Sequence, residues 1–178
     1  MITPDERSAI EMIRQSAGRF GSQGDLGRVR AQRFVAPGFD REAWAEMCGM
    51  GWSAIRVPED KGGVGLGMLA YCALAEELGA GLAPEPLIGA VLAAALLDGE
   101  ALERQIAGER IALPAWQDGR DGLAPEGPLA FSDGALTGAK LHVGCAQGAD
   151  AFVVIGADRA AVVEARAAGV GLVASPLQ

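Results

Sequence analysis

Histidine occurs once in the chain, at His142, and cysteine three times, at Cys48, Cys72 and Cys145. The cysteines are odd in number, far apart and in no C-x-x-C spacing. That excludes a His/Cys zinc site, and a Ser-His-Asp or Cys-His-Asp triad built on any other histidine. No metal ligand set and no disulfide framework are expected, which fits a reducing, cytoplasmic compartment. A long apolar run is also lacking. The longest, Leu87 to Leu97 broken only by Gly89, has 11 residues, too short to span a bilayer, and reads as a buried core helix. The opening Met1-Ile2-Thr3-Pro4-Asp5-Glu6 is polar and acidic and has no apolar signal segment. Positive charge is the third shortage: 15 lysines and arginines stand against 23 acids, a net charge of −8. Nucleic acid repels such a chain and is not an expected partner. Residues 1–41 do gather seven arginines against five acids. A solvated helix face of interspersed signs accounts for them better than a phosphate-binding patch.

What is present is a globular composition. Half of the 178 residues are hydrophobic and 21% are charged, the length of one large domain or two small ones. Thr3-Pro4-Asp5-Glu6 has the form of a capping box. Ala9, Ile10, Ile13, Ala17 and Phe20 follow at helical spacing, and Gly21-Ser22-Gln23-Gly24 is the expected stop. Asp25 to Phe34 is a weaker, arginine-rich helical candidate. Asp40 caps a predicted helix running through Cys48, with Trp44 and Met47 on its apolar face. Further helices are expected over residues 67–78, 87–97 and 98–107. After residue 108 the pattern changes. Asp133-Gly134 between two short apolar runs is a hairpin signal. Residues 151–155, 161–163 and 170–173 read as strands. The expectation is an α+β chain, with an all-α domain over residues 1–108 and a β domain over 109–178.

Four features invite chemistry. The glycine run at 62–67 lacks dinucleotide-loop spacing and a following Lys-Ser/Thr, so it reads as a tight loop into a helix. His142, in strand-like alternation, reads as structural, with a hydrogen bond to a cofactor as its functional alternative. Glu76-Glu77 are adjacent and do not face each other on a helix, so solvation is expected. Glu85, between two prolines, reads as a helix-start charge and not as an acid catalyst.

Residues 49–97 also carry an ordered pattern: Gly49-Met50-Gly51-Trp52, then Val57-Pro58-Glu59-Asp60-Lys61-Gly62-Gly63-Val64-Gly65-Leu66, then Leu74-Ala75-Glu76-Glu77-Leu78-Gly79, then Ala83-Pro84-Glu85-Pro86-Leu87 and an apolar helix. It resembles the N-terminal helical domain of acyl-CoA dehydrogenases. Leu136-Thr137-Gly138-Ala139-Lys140, Ala146-Gln147-Gly148-Ala149-Asp150 and Gly169-Val170-Gly171-Leu172 are similar to the start of that family's middle β-domain. The resemblance implies an antiparallel β-barrel, here partial, after the helices. It also implies an FAD-dependent α,β-dehydrogenation of an acyl-CoA thioester. The family's base is usually a glutamate in a C-terminal helical bundle. This chain is expected to stop within the middle domain, so it supplies no catalytic residue.

The resemblance places flavin contacts at Leu113, Pro114, His142, Val143 and Gly144. At two of these the family's hydroxyl is missing: its threonine falls on Pro114, and its later threonine or serine on Gly144. The glutamate beside the first falls on Ala115, and an aromatic falls on His142. Backbone contacts at Leu113 and Val143 remain. The acyl pocket is expected along Leu87, Ala90 and Ala93, where small residues leave room for a bulky acyl group. A β-domain with open edges predicts a homo- or hetero-oligomer with acyl-CoA dehydrogenase-like subunits. The alternatives are a flavin-free, non-catalytic subunit of a hetero-oligomer, or a binding module of the same fold.

Overall fold

A computed structural model describes residues 3–18, 20 and 26–174. Six helices come first: α1 (Pro4–Ala17), α2 (Gly27–Gln32), α3 (Arg41–Gly49), α4 (Met68–Ala80), α5 (Leu87–Ala94) and α6 (Gly99–Ile106). Five short strands follow: β1 (Ala112–Ala115), β2 (Ala130–Ser132), β3 (Ala135–Thr137), β4 (Ala151–Ile155) and β5 (Ala160–Glu164).

The helix starts follow their capping chemistry. Thr3 accepts from the Glu6 N–H while the Glu6 side chain accepts from the Thr3 N–H, the full reciprocal box. Asp40 accepts from the Glu42 N–H at the head of α3. The expected stop at Gly21-Ser22-Gln23-Gly24 lies outside the described residues. Helix α4 runs through Gly79 to Ala80 instead of ending before it. Trp44 and Met47 are fully buried, as their spacing predicts. Residues 52–57, a short apolar piece by sequence, form a series of turns with Trp52, Ile55 and Val57 buried. The glycine run behind them is a tight loop: a Cβ on Gly63 would sit 2.0 Å from the Val57 carbonyl oxygen, a distance no side chain tolerates.

The strands form two sheets. β1, β4 and β5 lie in that order, and β2 pairs with β3 alone. The β2–β3 pair is the hairpin that Asp133-Gly134 predicts. β4 and β5 are antiparallel, but β1 and β4 are parallel, with Ala112 opposite Ala151 and Ala115 opposite Val154. The expected antiparallel barrel is therefore an open, mixed sheet over the described residues. The connection over residues 116–150 is long enough for the crossover that a parallel pair needs. Val170 to Val173, expected as a strand, has no ladder partner, and Val173 is 97% exposed.

The core crosses from helices to strands. One cluster joins Trp44, Met47, Trp52, Leu74, Leu87 and Ala90 to Ile111 and Leu113. A second joins Ala93, Ala94 and Leu102 to Ala112, Ala151 and Val153. β1 is thus buried at every position, with α5 laid on it.

Candidate functional site

The segments singled out by sequence meet where α5, β1 and the loop at 140–145 come together. Gly89 makes the first contact possible. A Cβ there would lie 3.3 Å from Leu113 Cδ2 and 3.5 Å from Pro114 Cδ. Without it, α5 rests directly on the strand. Pro114 stands on β1, an edge strand of its sheet, the place where a proline is tolerated in a sheet.

Gln105 fixes the start of β1. Its side chain is fully buried. Its Nε2 donates to the carbonyls of Ala90, at 3.2 Å, and Ala112, at 3.1 Å, and its Oε1 accepts from the Ala112 N–H at 2.7 Å. One amide thereby ties α5, α6 and β1. Asp150 does the same from the other side. It accepts from the Ile111 N–H at 2.9 Å and from Arg41 of α3 at 3.0 Å. Neither role was read from the sequence. A single amide on the buried side of α6, and an aspartate just before a strand, were the available signals.

The 140–145 loop is clasped to the end of β1. Lys140 Nζ donates to Asp118 Oδ1 at 2.6 Å and to the Trp116 carbonyl at 3.3 Å. The Leu141 N–H donates to the Gln117 carbonyl at 2.8 Å. The Lys140 hydrogen bond, aided by the Glu126 N–H, holds the Asp118 carboxyl below the usual carboxylate range. His142 and Cys145 both take left-handed φ, +55° and +57°, which turns the chain sharply twice. Val143 and Cys145 pack on the cluster that holds Leu113, Leu87 and Ala90. The Cys145 thiol lies 3.8 Å from the Pro84 carbonyl. Burial pushes its pKa up, and the nearby Glu85 charge adds to the shift.

Glu85 stands just before α5, at the helix start where its position between two prolines puts it, but it is not solvated. Its side chain is completely buried and bound by both guanidinium nitrogens of Arg28 in α2, one of them at 3.1 Å. A buried carboxylate held in this way has its charge compensated by the guanidinium. Glu76 and Glu77 are also paired, both to Arg14 of α1, at 2.5 and 2.6 Å.

Of the expected acyl-binding residues, Leu87 lines a cavity of about 90 Å³ between α4 and α5, together with Tyr71, Leu74, Gly79, Glu85 and Ile88. Ala90 and Ala93 do not line it. Both are fully buried, and their small side chains belong to the core. A wider groove of about 650 Å³ lies between α3, α6 and the glycine loop, and holds none of the expected site residues. Among the described residues no cluster of three metal-ligating side chains exists. No helix among them is long and apolar enough to cross a membrane.

Comparison with known proteins agrees with this arrangement of parts. Residues 7–104 match the family model described as the acyl-CoA dehydrogenase N-terminal domain. The chain belongs to the acyl-CoA dehydrogenase family. The acyl-CoA dehydrogenase IpdE2 of Mycobacterium tuberculosis is 36% identical over 120 residues, 62% of this chain and 36% of that protein. The ChsE4–ChsE5 complex from Mycobacterium tuberculosis superposes with a TM-score of 0.76 at 28% identity, covering 94% of this chain and 50% of the matched one. A Tcur3481–Tcur3483 steroid acyl-CoA dehydrogenase variant gives 0.75 at 28% identity, over 92% of this chain and 50% of that one. The chain thus spans half or less of the length of these relatives.

Family members with this fold include flavoproteins, so the fit of a flavin to this chain is a direct question. The side chains present do not fit it. Pro114 has neither an N–H nor a hydroxyl, and it is buried in β1. Leu113 is committed to the core. Gly144 has no side chain, and His142 is exposed. Two cations tied to this junction by hydrogen bonds, Arg28 and Lys140, are both held in ion pairs.

Proposed function

We propose that this chain is one part of an acyl-CoA dehydrogenase assembly, which catalyses α,β-dehydrogenation of an acyl-CoA thioester and is incomplete without a further domain or a partner subunit. The observation that carries the reading is the junction itself. Residues 83–87 and the 140–145 loop, from the two halves of the chain, meet there, and the carboxylate buried between them is not free to take a proton. Glu85, the buried carboxylate at the junction, is bound by Arg28.

On this reading the chain supplies shape. The start of α5 at Leu87, beside the cavity between α4 and α5, is assigned to the acyl group, with Ala90 and Ala93 behind it as the packing that sets its position. The apolar lining, with Glu85 neutralised by Arg28, suits a hydrocarbon and excludes a free anion. The partner is an acyl-CoA dehydrogenase-like subunit, as in the two-protein complexes named above, and the assembly is assigned to the cytoplasm.

The test is a dye-coupled acyl-CoA oxidation assay on the purified chain, alone and co-expressed with a flavin-bearing family subunit from the same source. The chain alone is expected to be inactive and the co-purified pair active. Turnover by the isolated chain, or a pair that never associates, would sink the proposal.

A further inference from the structure

We infer that this chain holds no flavin of its own, and that any flavin in its assembly is carried by another chain. The inference rests on the reading above and deepens it by assigning the cofactor to the partner.

Three observations carry it. First, β1 is closed. All four of its residues are buried, and the Pro114 ring stands 3.5 Å from the point where a Gly89 Cβ would be. The strand position that would offer a hydroxyl and an N–H to an isoalloxazine ring is instead a packing contact with α5. Second, two donors of the facing loop are taken by the protein. Lys140 Nζ is taken by Asp118 and the Trp116 carbonyl, and the Leu141 N–H by the Gln117 carbonyl. Gly144 has no side chain to add. Third, FAD brings two phosphate charges, and the two cations tied to this junction are already paired. Arg28 and Lys140 are each neutralised by a carboxylate.

The test is an FAD titration of the 178-residue chain, read by flavin fluorescence and by absorbance between 300 and 550 nm after gel filtration. The wild type is expected to elute colourless. Pro114→Thr/Gly144→Thr, which restores two hydroxyls and one N–H, is expected to retain FAD at least tenfold more tightly. Gly144→Thr alone sits at an exposed position without a positive φ; it will fold, and is expected to give a smaller gain. Stoichiometric FAD on the wild type overturns the inference. A folded double variant, verified by circular dichroism, that gains nothing while the wild type stays colourless supports the inference through the closure of β1 alone. Flavin content of the co-purified pair separates this inference from the subunit reading. One flavin per two chains supports both. Two flavins per two chains overturn the inference and leave the subunit reading standing. Failure to associate removes the subunit reading, and the titration alone then decides the flavin question.

Discussion

β1 and β2 are short strands of similar make-up, Ala-Leu-Pro-Ala and Ala-Phe-Ser, yet β1 is buried at all four positions and β2 is exposed at all three. Composition does not separate them. Cover does. β1 lies under α5 and beside β4, and Gln105 satisfies its first residue. The β2–β3 hairpin pairs only with itself. A two-stranded hairpin is marginal without a face to pack on. The same contrast runs through the molecule. Glycine, proline and aspartate signals set local shape, but burial depends on what packs over each segment.

The comparison breaks if substitutions in the two strands cost the same. Leu113→Ala removes a core side chain that is 1% exposed, and about 2–5 kcal/mol of stability is expected to go with it. Urea unfolding would measure this, and a loss under about 1 kcal/mol would contradict the central place of β1. Gln105→Leu keeps the volume but strands the buried Ala112 N–H and takes a donor from the Ala90 and Ala112 carbonyls. A loss of about 1–3 kcal/mol is expected, with faster amide exchange at Ala112 as the local sign.

Acid should act more narrowly. Lys140 and the Glu126 N–H lower the folded-state pKa of Asp118. Its contribution is therefore complete above the ordinary aspartate value of about 4, and is lost as pH falls through the lower folded value. Exchange protection at Glu126 and Leu141 is expected to drop over that acid range. Asp118→Asn should be loose at every pH; a variant that kept the wild-type acid profile would assign the effect to another group. The smallest effect is expected at Phe131→Ala in β2. That side chain is 53% exposed, and about 0.5 kcal/mol or less is at stake. A larger loss would mean that the hairpin has cover in solution.

Much of the helical half is legible in the sequence because its signals are local. The Thr3–Glu6 box, the Asp40 cap and the apolar spacing of α1 and α3 each involve residues within one or two turns. The Asp133-Gly134 hairpin is legible for the same reason. β1 is not: four residues with a proline make no recognisable strand, and its partner β4 lies far along the chain. The candidate site divides the same way. That Pro114 and Gly144 carry no hydroxyl is visible by inspection. That Gly89 lets α5 settle on Pro114, that Arg28 buries Glu85, and that Ala90 and Ala93 face inward depend on contacts between distant segments. Spacing along the chain carries no information about them.

The sequence by itself determined the family, the capped helix starts, the hairpin, and the lack of hydroxyls at two positions, because each is a property of a residue and its near neighbours. The tertiary structure alone decided which carboxylates are free and which strand is buried. It also decided what holds the helices to the sheet. Those depend on which charges and apolar faces come within a few ångströms of each other, and only the folded chain sets such distances.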